Sequence, residues 1–272
     1  MPQEPLQLDD HSATLPNHDL HNHTIYCGHA EDDATVANLV ARARELQIGC
    51  LGISEHLMFP DDAGFVSAVR DDLQAVSRHG IDVLWGVEMD VDTTDPNGGL
   101  VAPDFRCDYI ILSAHGFPRF DLDIPDSEKR LPVDLQRRNL ARKWLGWYRN
   151  AIANPAVHIL GHPLREPINM GLITLQDVEI FEDVVQAFIP AIENGTAFEL
   201  NNAFLNFLSD TPHFAGYVKL IKTLKARGMR FSRGSDSHGV AKVGLCDGIG
   251  RFADETGIAN SDWFDPTPLL RR

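Results

Sequence analysis

Seven histidines and two carboxylates stand at the ends of apolar segments along this 272-residue chain. His21 and His23 end DLHNHT, and His29 follows in CGHAEDD. His56 ends CLGISEH, Glu88 lies near the end of VLWGVEMD, and His115 ends DYIILSAH. His162 ends VHILGH, while Asp236 and His238 end MRFSRGSDSH. Mixtures of imidazole and carboxylate suit divalent ions such as zinc, iron and manganese. In an extended chain, residues two apart project to the same side. His21 and His23 can therefore face one ion together, and Asp236 and His238 repeat the arrangement late in the chain. Nine such groups are too many for one tetrahedral ion, which points to two or three metals. An open centre of this composition is suited to hydrolysis.

For these residues to meet, the segments that carry them must be parallel strands. The apolar segments over 19–24, 50–56, 83–90, 108–115, 157–162, 197–201 and 229–238 read as strands. Helical patterns alternate with them. Val36, Leu39, Val40, Ala43 and Leu46 mark one helix; Leu140, Trp144, Trp147, Tyr148 and Ala151 mark a second, stopped by Asn154-Pro155. A third runs through Val178, Phe181, Val184, Val185 and Phe188, and a fourth through Tyr217, Leu220, Ile221 and Leu224. Alternation of this kind predicts parallel βα units, as a barrel or a doubly wound sheet. In a parallel barrel the C-terminal strand ends share one face, where active sites form. The long connections 91–107 and 116–133 read as walls of that site. Residues 1–17, polar and rich in proline, read as a loosely held arm, with 18–272 as one domain.

Composition narrows the class further. With 39 acidic and 24 basic residues, the net charge of −15 disfavours nucleic acid as a partner. The four cysteines, Cys27, Cys50, Cys107 and Cys246, form no CxxC pair, which fits reduced thiols in a cytoplasmic protein. No apolar run approaches the roughly 20 residues of a membrane span. Oligomeric state is not legible.

The segments D19-L-H-N-H-T24, G52-I-S-E-H56, G86-V-E-M89, S113-A-H115, G161-H-P163, E199-L-N-N202 and G234-S-D-S-H238 resemble, in order, the motifs of the PHP (polymerase and histidinol phosphatase) family. The resemblance implies a distorted (β/α)7 barrel, a trinuclear metal site at the C-terminal strand ends, and phosphoesterase activity. It implies that His21, His23, Glu88 and Asp236 hold one ion. Glu88 bridges to a second ion held with His115 and His162, and His29, His56 and His238 hold the third. Glu88, Asp236 and His238 are the residues expected to carry catalysis, with hydroxide between two cations attacking phosphorus in line. Arg165, three residues past His162, is the first candidate to hold the phosphate, and Arg119 the second. The expected substrate is a small phosphomonoester. The CGHA segment and single-domain length are similar to histidinol-phosphate phosphatases of the family, whereas GFPRFDLD and ELNN are more similar to its general phosphoesterase branch.

Other residues carry weaker expectations. Asp19 either orients His21 or His23 or makes a strand-start hydrogen bond. Glu55, adjacent to His56, is expected to face away and be structural. Cys27, which could offer a thiolate beside His29, reads as a free thiol rather than a ligand. Glu199 with Asn201 reads as shaping the barrel floor or supporting the ligands from behind rather than binding metal. Strand alternation sends Arg233 away from the interior. His11, His18, His79, His158 and His213 carry no motif. Rival functions are an amidohydrolase-like hydrolase, which usually needs a bridging lysine at a middle strand end, a DNA-end nuclease, and a non-catalytic metal-binding module.

Overall fold

The computed structural model describes residues 15–76, 79–116 and 128–271. Seven parallel strands pair in chain order: β1 (His18–Asp19), β2 (Cys50–Leu57), β3 (Asp82–Asp90), β4 (Tyr109–Ser113), β5 (Ile159–Leu160), β6 (Ala197–Asn201) and β7 (Phe231–Gly234). The first strand also meets the last. Leu20 donates its N–H to Arg233 O (3.3 Å), His23 donates to Ser237 O (2.8 Å), and Asn22 bridges Ser237. The fold is thus the expected distorted (β/α)7 barrel.

Nine α-helices accompany the strands among the described residues: α1 (Val36–Glu45), α2 (Ala63–Ala75), α3 (Val133–Ile152), α4 (Arg165–Asn169), α5 (Val178–Ala187), α6 (Ile189–Asn194), α7 (Asn202–Ser209), α8 (Phe214–Ala226) and α9 (Asp247–Thr256). The apolar faces read from the sequence in α1, α3, α5 and α8 pack largely against the barrel, except that Val178, at the start of α5, is exposed. Trp144 stacks on Tyr148 at 4.7 Å within the largest apolar cluster, so the aromatic stripe of α3 is core. Among the described residues no helix is long and apolar enough to cross a membrane.

The barrel departs from regular βα alternation between β3 and β4. No helix joins them; Val91 instead pairs antiparallel with Leu100, and Asp92 donates its N–H to Gly99 O at 2.7 Å. Several strands are also shorter than their apolar patterns. β1 ends at Asp19 and β7 at Gly234, before the ligand-type residues that follow. Those residues lie on extended or turning chain beyond the ladder, tied across by the Asn22–Ser237 bridge.

The floor of the barrel is apolar: Leu20, Leu84, Tyr109, Ile111, Ile159 and Leu269 belong to one cluster. Tyr109 lies across it and donates its hydroxyl to Leu20 O at 2.6 Å. A Cβ at Gly52 would sit 2.1 Å from the Tyr109 hydroxyl, and one at Gly86 would sit 2.3 Å from its ring, so both motif glycines make room for this plug. The polar residues must therefore gather above it, at the opposite end.

Asp19 is buried and its carboxylate accepts the N–H of Ser235 and of Gly244, each at 2.9 Å. It is a strand-start hydrogen-bonding residue, the second of its two expected roles. Arg233 points outwards, donating to Pro16 O and Gly244 O. His18, buried beneath it, accepts the Arg233 N–H at Nε2; burial, aided by that guanidinium, lowers its pKa to about 3. The expected arm lies outside the described residues over 1–14, as do His11, Arg119 and the rest of 117–127.

Candidate metal centre

Glu88, third from the end of β3, occupies the middle of the upper face and is 1% exposed. Five imidazoles surround its carboxylate. Oε2 lies 2.8 Å from His56 Nδ1, 3.4 Å from His21 Nε2 and 3.5 Å from His23 Nε2. Oε1 lies 3.0 Å from His162 Nε2 and 3.3 Å from His115 Nε2, and it accepts the Ser113 hydroxyl at 2.6 Å. Asp236 closes the side nearest β1, with Oδ1 3.3 Å from His23 Nε2 and 3.7 Å from His21 Nε2. The rings of His23 and His238 stack at 4.3 Å, and those of His29 and His238 lie 4.6 Å apart. All nine residues singled out from the sequence therefore meet at one mouth.

The backbone is bent to bring them there. His162 (φ 27°) and Asp236 (φ 55°) both adopt left-handed conformations. For a residue other than glycine this costs on the order of 1–3 kcal/mol, and such strain concentrates at functional sites. Beyond β5 and β7 these turns swing the two side chains over the barrel mouth rather than along the strand.

The rings are also aimed. His21 donates Nδ1–H to Glu199 Oε1 at 2.6 Å, and His115 donates Nδ1–H to Asp90 Oδ1 at 2.9 Å. His29 and His238 direct Nδ1 to the carbonyls of Cys27 and Asp236, each at 3.1 Å. His23 Nδ1 lies 3.6 Å from Glu55 Oε1. In the four hydrogen-bonded rings Nε2 is left for the interior, the pattern by which outer carboxylates and carbonyls orient metal-binding imidazoles. Glu55 is thus no outward-facing structural residue. β1 stops at Asp19, so the chain carrying His23 and Thr24 folds over the end of β2, and the Glu55 carboxylate also accepts the Thr24 N–H at 3.0 Å. Glu199 supports the ligands from behind, the second of its expected roles: its Oε2 accepts the His162 N–H at 2.7 Å, so one carboxylate sets His21 and the strained turn at His162. Gly234 is what admits it, because a Cβ there would lie 2.0 Å from Glu199 Oε1. Asn201 donates to Asp236 Oδ2 at 3.2 Å.

Electrostatics follow from this crowding. Burial opposes a charged imidazole at His21, but Glu199, Glu88 and Asp236 outweigh it and hold its pKa well above the histidine range. Burial is likewise overcome at His23 by Asp236, Glu55 and Glu88, raising its pKa to about 9, and at His115 by Glu88 and Asp90. Burial would raise the Glu88 carboxyl, yet His115, His21 and His56 hold it well below the carboxylate range. At His238 burial and then neighbouring His23 both act downwards, to about 4.

The donor set fits divalent ions. His21 Nε2, both His23 nitrogens, His56 Nδ1, Glu88 Oε2 and His238 Nε2 are buried without a hydrogen-bond partner. A buried polar atom left unpaired costs about 1–3 kcal/mol, so one cluster of them calls for a ligand that satisfies several at once. Ligand atoms lie within 4.8 Å of one another in the groups His21–His23–Asp236, His56–Glu88–His115, His23–His56–His238 and Cys27–His29–His238. The last group brings Cys27 within range of His29, in the ligand role that its place two residues before His29 offers and that the free-thiol reading sets second. Arg165 opens α4 and stays partly exposed, its Nε 3.7 Å from Glu166 Oε1.

Comparison with known proteins gives the centre its context. The family model of the PHP domain matches residues 19–203. The chain belongs to the PHP domain family. A protein of Clostridium acetobutylicum described as a probable phosphatase is 28% identical over 248 residues, covering 88% of this chain and 86% of its own. One of Acetivibrio thermocellus with the same description is 27% identical, covering 88% and 87%. In fold, this PHP domain is similar to the crystal structure of a histidinol phosphate phosphatase of Lactococcus lactis, complexed with zinc, L-histidinol and phosphate. The TM-score is 0.57, at 17% identity, over 88% of this chain and 93% of that one.

Ion loading of this PHP domain should release protons. Without metal, His21, His23 and His115 hold protons at pH 7 because their pKa values are raised, whereas an imidazole ligand must be neutral. Titrating zinc into the chelated protein in two buffers of different ionisation enthalpy should show release of on the order of two to three protons per chain. Affinity should then weaken about tenfold per displaced proton for each unit the pH falls. Heats that do not depend on the buffer would show that these imidazoles are not displaced.

Proposed function

We propose that this PHP-domain protein hydrolyses small phosphomonoesters at a centre of two or three divalent ions, zinc, iron or manganese. The observation that supports this most is the ring of imidazoles around Glu88, with His21 and His115 aimed by outer carboxylates and His162 bonded to Glu88 itself. The family membership and the phosphatase descriptions of its relatives agree with it. His21, His23, Glu88 and Asp236 would hold one ion, Glu88 with His115 and His162 a second, and His29, His56 and His238 a third. Bound there, divalent ions would lower the pKa of water towards neutrality and offset the charge of the phosphoryl oxygens.

The chain's own groups do the rest. Glu199 and Asp90 hold the rings of His21 and His115 in place, which limits reorganisation as charge shifts. Hydrolysis splits the P–O bond; water gives its oxygen to phosphate and a proton to the leaving alcohol. Arg165, at the rim three residues past His162, is proposed to meet the phosphate, in competition with Glu166. Arg165→Ala should raise KM for phosphomonoesters by about tenfold, the scale of one charge-assisted hydrogen bond. Unchanged kinetics would remove it from the site.

The test is an assay of the metal-loaded protein on a panel of phosphomonoesters that includes L-histidinol phosphate and a nucleoside monophosphate, with an amide substrate as control. Hydrolysis of phosphate esters and not of the amide is expected. Preferred turnover of L-histidinol phosphate would identify the substrate shared with the Lactococcus lactis protein. Amide cleavage without ester cleavage would favour the amidohydrolase reading, and no turnover of any compound the non-catalytic one.

A further inference from the structure

A cavity of about 560 Å³ opens beside the metal centre and shares His115 and Asp90 with it. One end is His115, whose Nε2 lies 3.3 Å from Glu88. Its walls include Met58, Phe59 and Pro60 beyond β2, and Val91 and Val101 from the β3–β4 connection. Both walls are pre-formed. Asp62 accepts the N–H groups of Met58 (3.0 Å) and Phe59 (2.8 Å), which pins that corner while leaving the Phe59 ring 58% exposed. The opposite wall is held by the Val91–Leu100 bridge and by Val101 N–H donating to Asp90 O at 3.2 Å. Ligand cavities of this size are typically apolar, with a few placed polar groups.

We infer that this cavity receives the leaving group of the substrate, and that it selects esters of alcohols carrying an apolar, ring-sized group. The inference rests on the proposed phosphoesterase function. A phosphate held at the centre expels its leaving oxygen on the side away from the attacking water, and the cavity begins where the centre ends, at His115. An apolar ring entering there leaves water for the faces of Phe59, Met58 and Val101, so its burial favours binding. The carboxylate of Asp92, on the same lining, opposes a second anionic group on that alcohol.

Binding of benzylphosphonate and ethylphosphonate to the metal-loaded protein, measured by calorimetry, tests the cavity without turnover. Benzylphosphonate is expected to bind at least about tenfold more tightly, about 1.4 kcal/mol. Phe59→Ala should narrow that ratio to within about twofold. Phe65→Ala, which removes an equally exposed ring on α2 outside the cavity, should keep it. A ratio near one in the unmodified protein, no binding of either compound, or a ratio untouched by Phe59→Ala overturns the inference. Hydrolysis of benzyl and ethyl phosphate, whose leaving alcohols have similar acidity, separates the two readings. Turnover of both with equal efficiency removes the cavity's role and keeps the phosphatase. The expected binding ratio without turnover of either ester removes the phosphatase and keeps the cavity.

Discussion

Glu88→Ala should abolish phosphoesterase activity and release more than one ion per chain. Among the described residues no other carboxylate touches so many of the candidate ligands: His21, His23, His56, His115 and His162 all lie within 3.5 Å of its two oxygens. Ion-supplied charge stabilisation is worth several kcal/mol, and about 1.4 kcal/mol corresponds to tenfold in rate. A fall in kcat on the order of a thousandfold or more is therefore expected. Glu88→Gln separates charge from shape, because the amide fills the same space and can still accept the Ser113 hydroxyl. It should be as inactive as the alanine variant. Full metal content in Glu88→Ala, measured by elemental analysis after dialysis, would contradict its place between two ions.

The second large effect is expected at Asp236, where charge and backbone can be told apart. Asp236→Asn removes the negative charge facing His23 and His21 but keeps a residue type that tolerates the left-handed region. It should lose one ion and reduce kcat by on the order of a hundredfold or more. Asp236→Ala loses the same charge and in addition must hold φ 55° without a side chain that favours it. A non-glycine residue in this region is disfavoured by roughly 1–2 kcal/mol, so in chelated protein the alanine variant should be the less stable of the two by about that amount. Thermal or urea unfolding of the two variants measures the difference. Equal stability would show that the turn at Asp236 is not strained.

These effects follow from features that were unequally visible in the sequence. The ligand-type residues other than His29, which sits in a loop, were legible because they follow apolar runs, and parallel strands bring such ends to one face by topology alone. Their orientation was not. Glu199 reaches His21 and His162 only because β6 lies between β5 and β7 and Gly234 leaves room for its carboxylate. Glu55 was misread by strict strand alternation, which fails where β1 ends early and His23 turns back over β2. Likewise the strain at His162 and Asp236 leaves no mark on residue type, although it is what points both side chains into the mouth. Among the helices, α4 and α6 span five and six residues, too few to show a period, and glycines at 248 and 250 interrupt the pattern of α9. The cavity beside His115 was foreshadowed only as a long loop, since its walls come from two connections distant in sequence.

The same geometry also bears on charge. A chain of net charge −15 would present a cationic mouth to a phosphate once ions occupy the ring around Glu88, and small anionic esters could then enter where a long polyanion is repelled by the surrounding surface. Each ion so held must be counted before any role for it is assigned. The most direct measurement is elemental analysis of the purified, dialysed protein alongside titration of phosphomonoesterase activity with added metal. Two to three divalent ions per chain are expected, with activity rising as the second ion is restored to chelated protein. Full activity with one ion or none would contradict a shared multi-ion centre at Glu88.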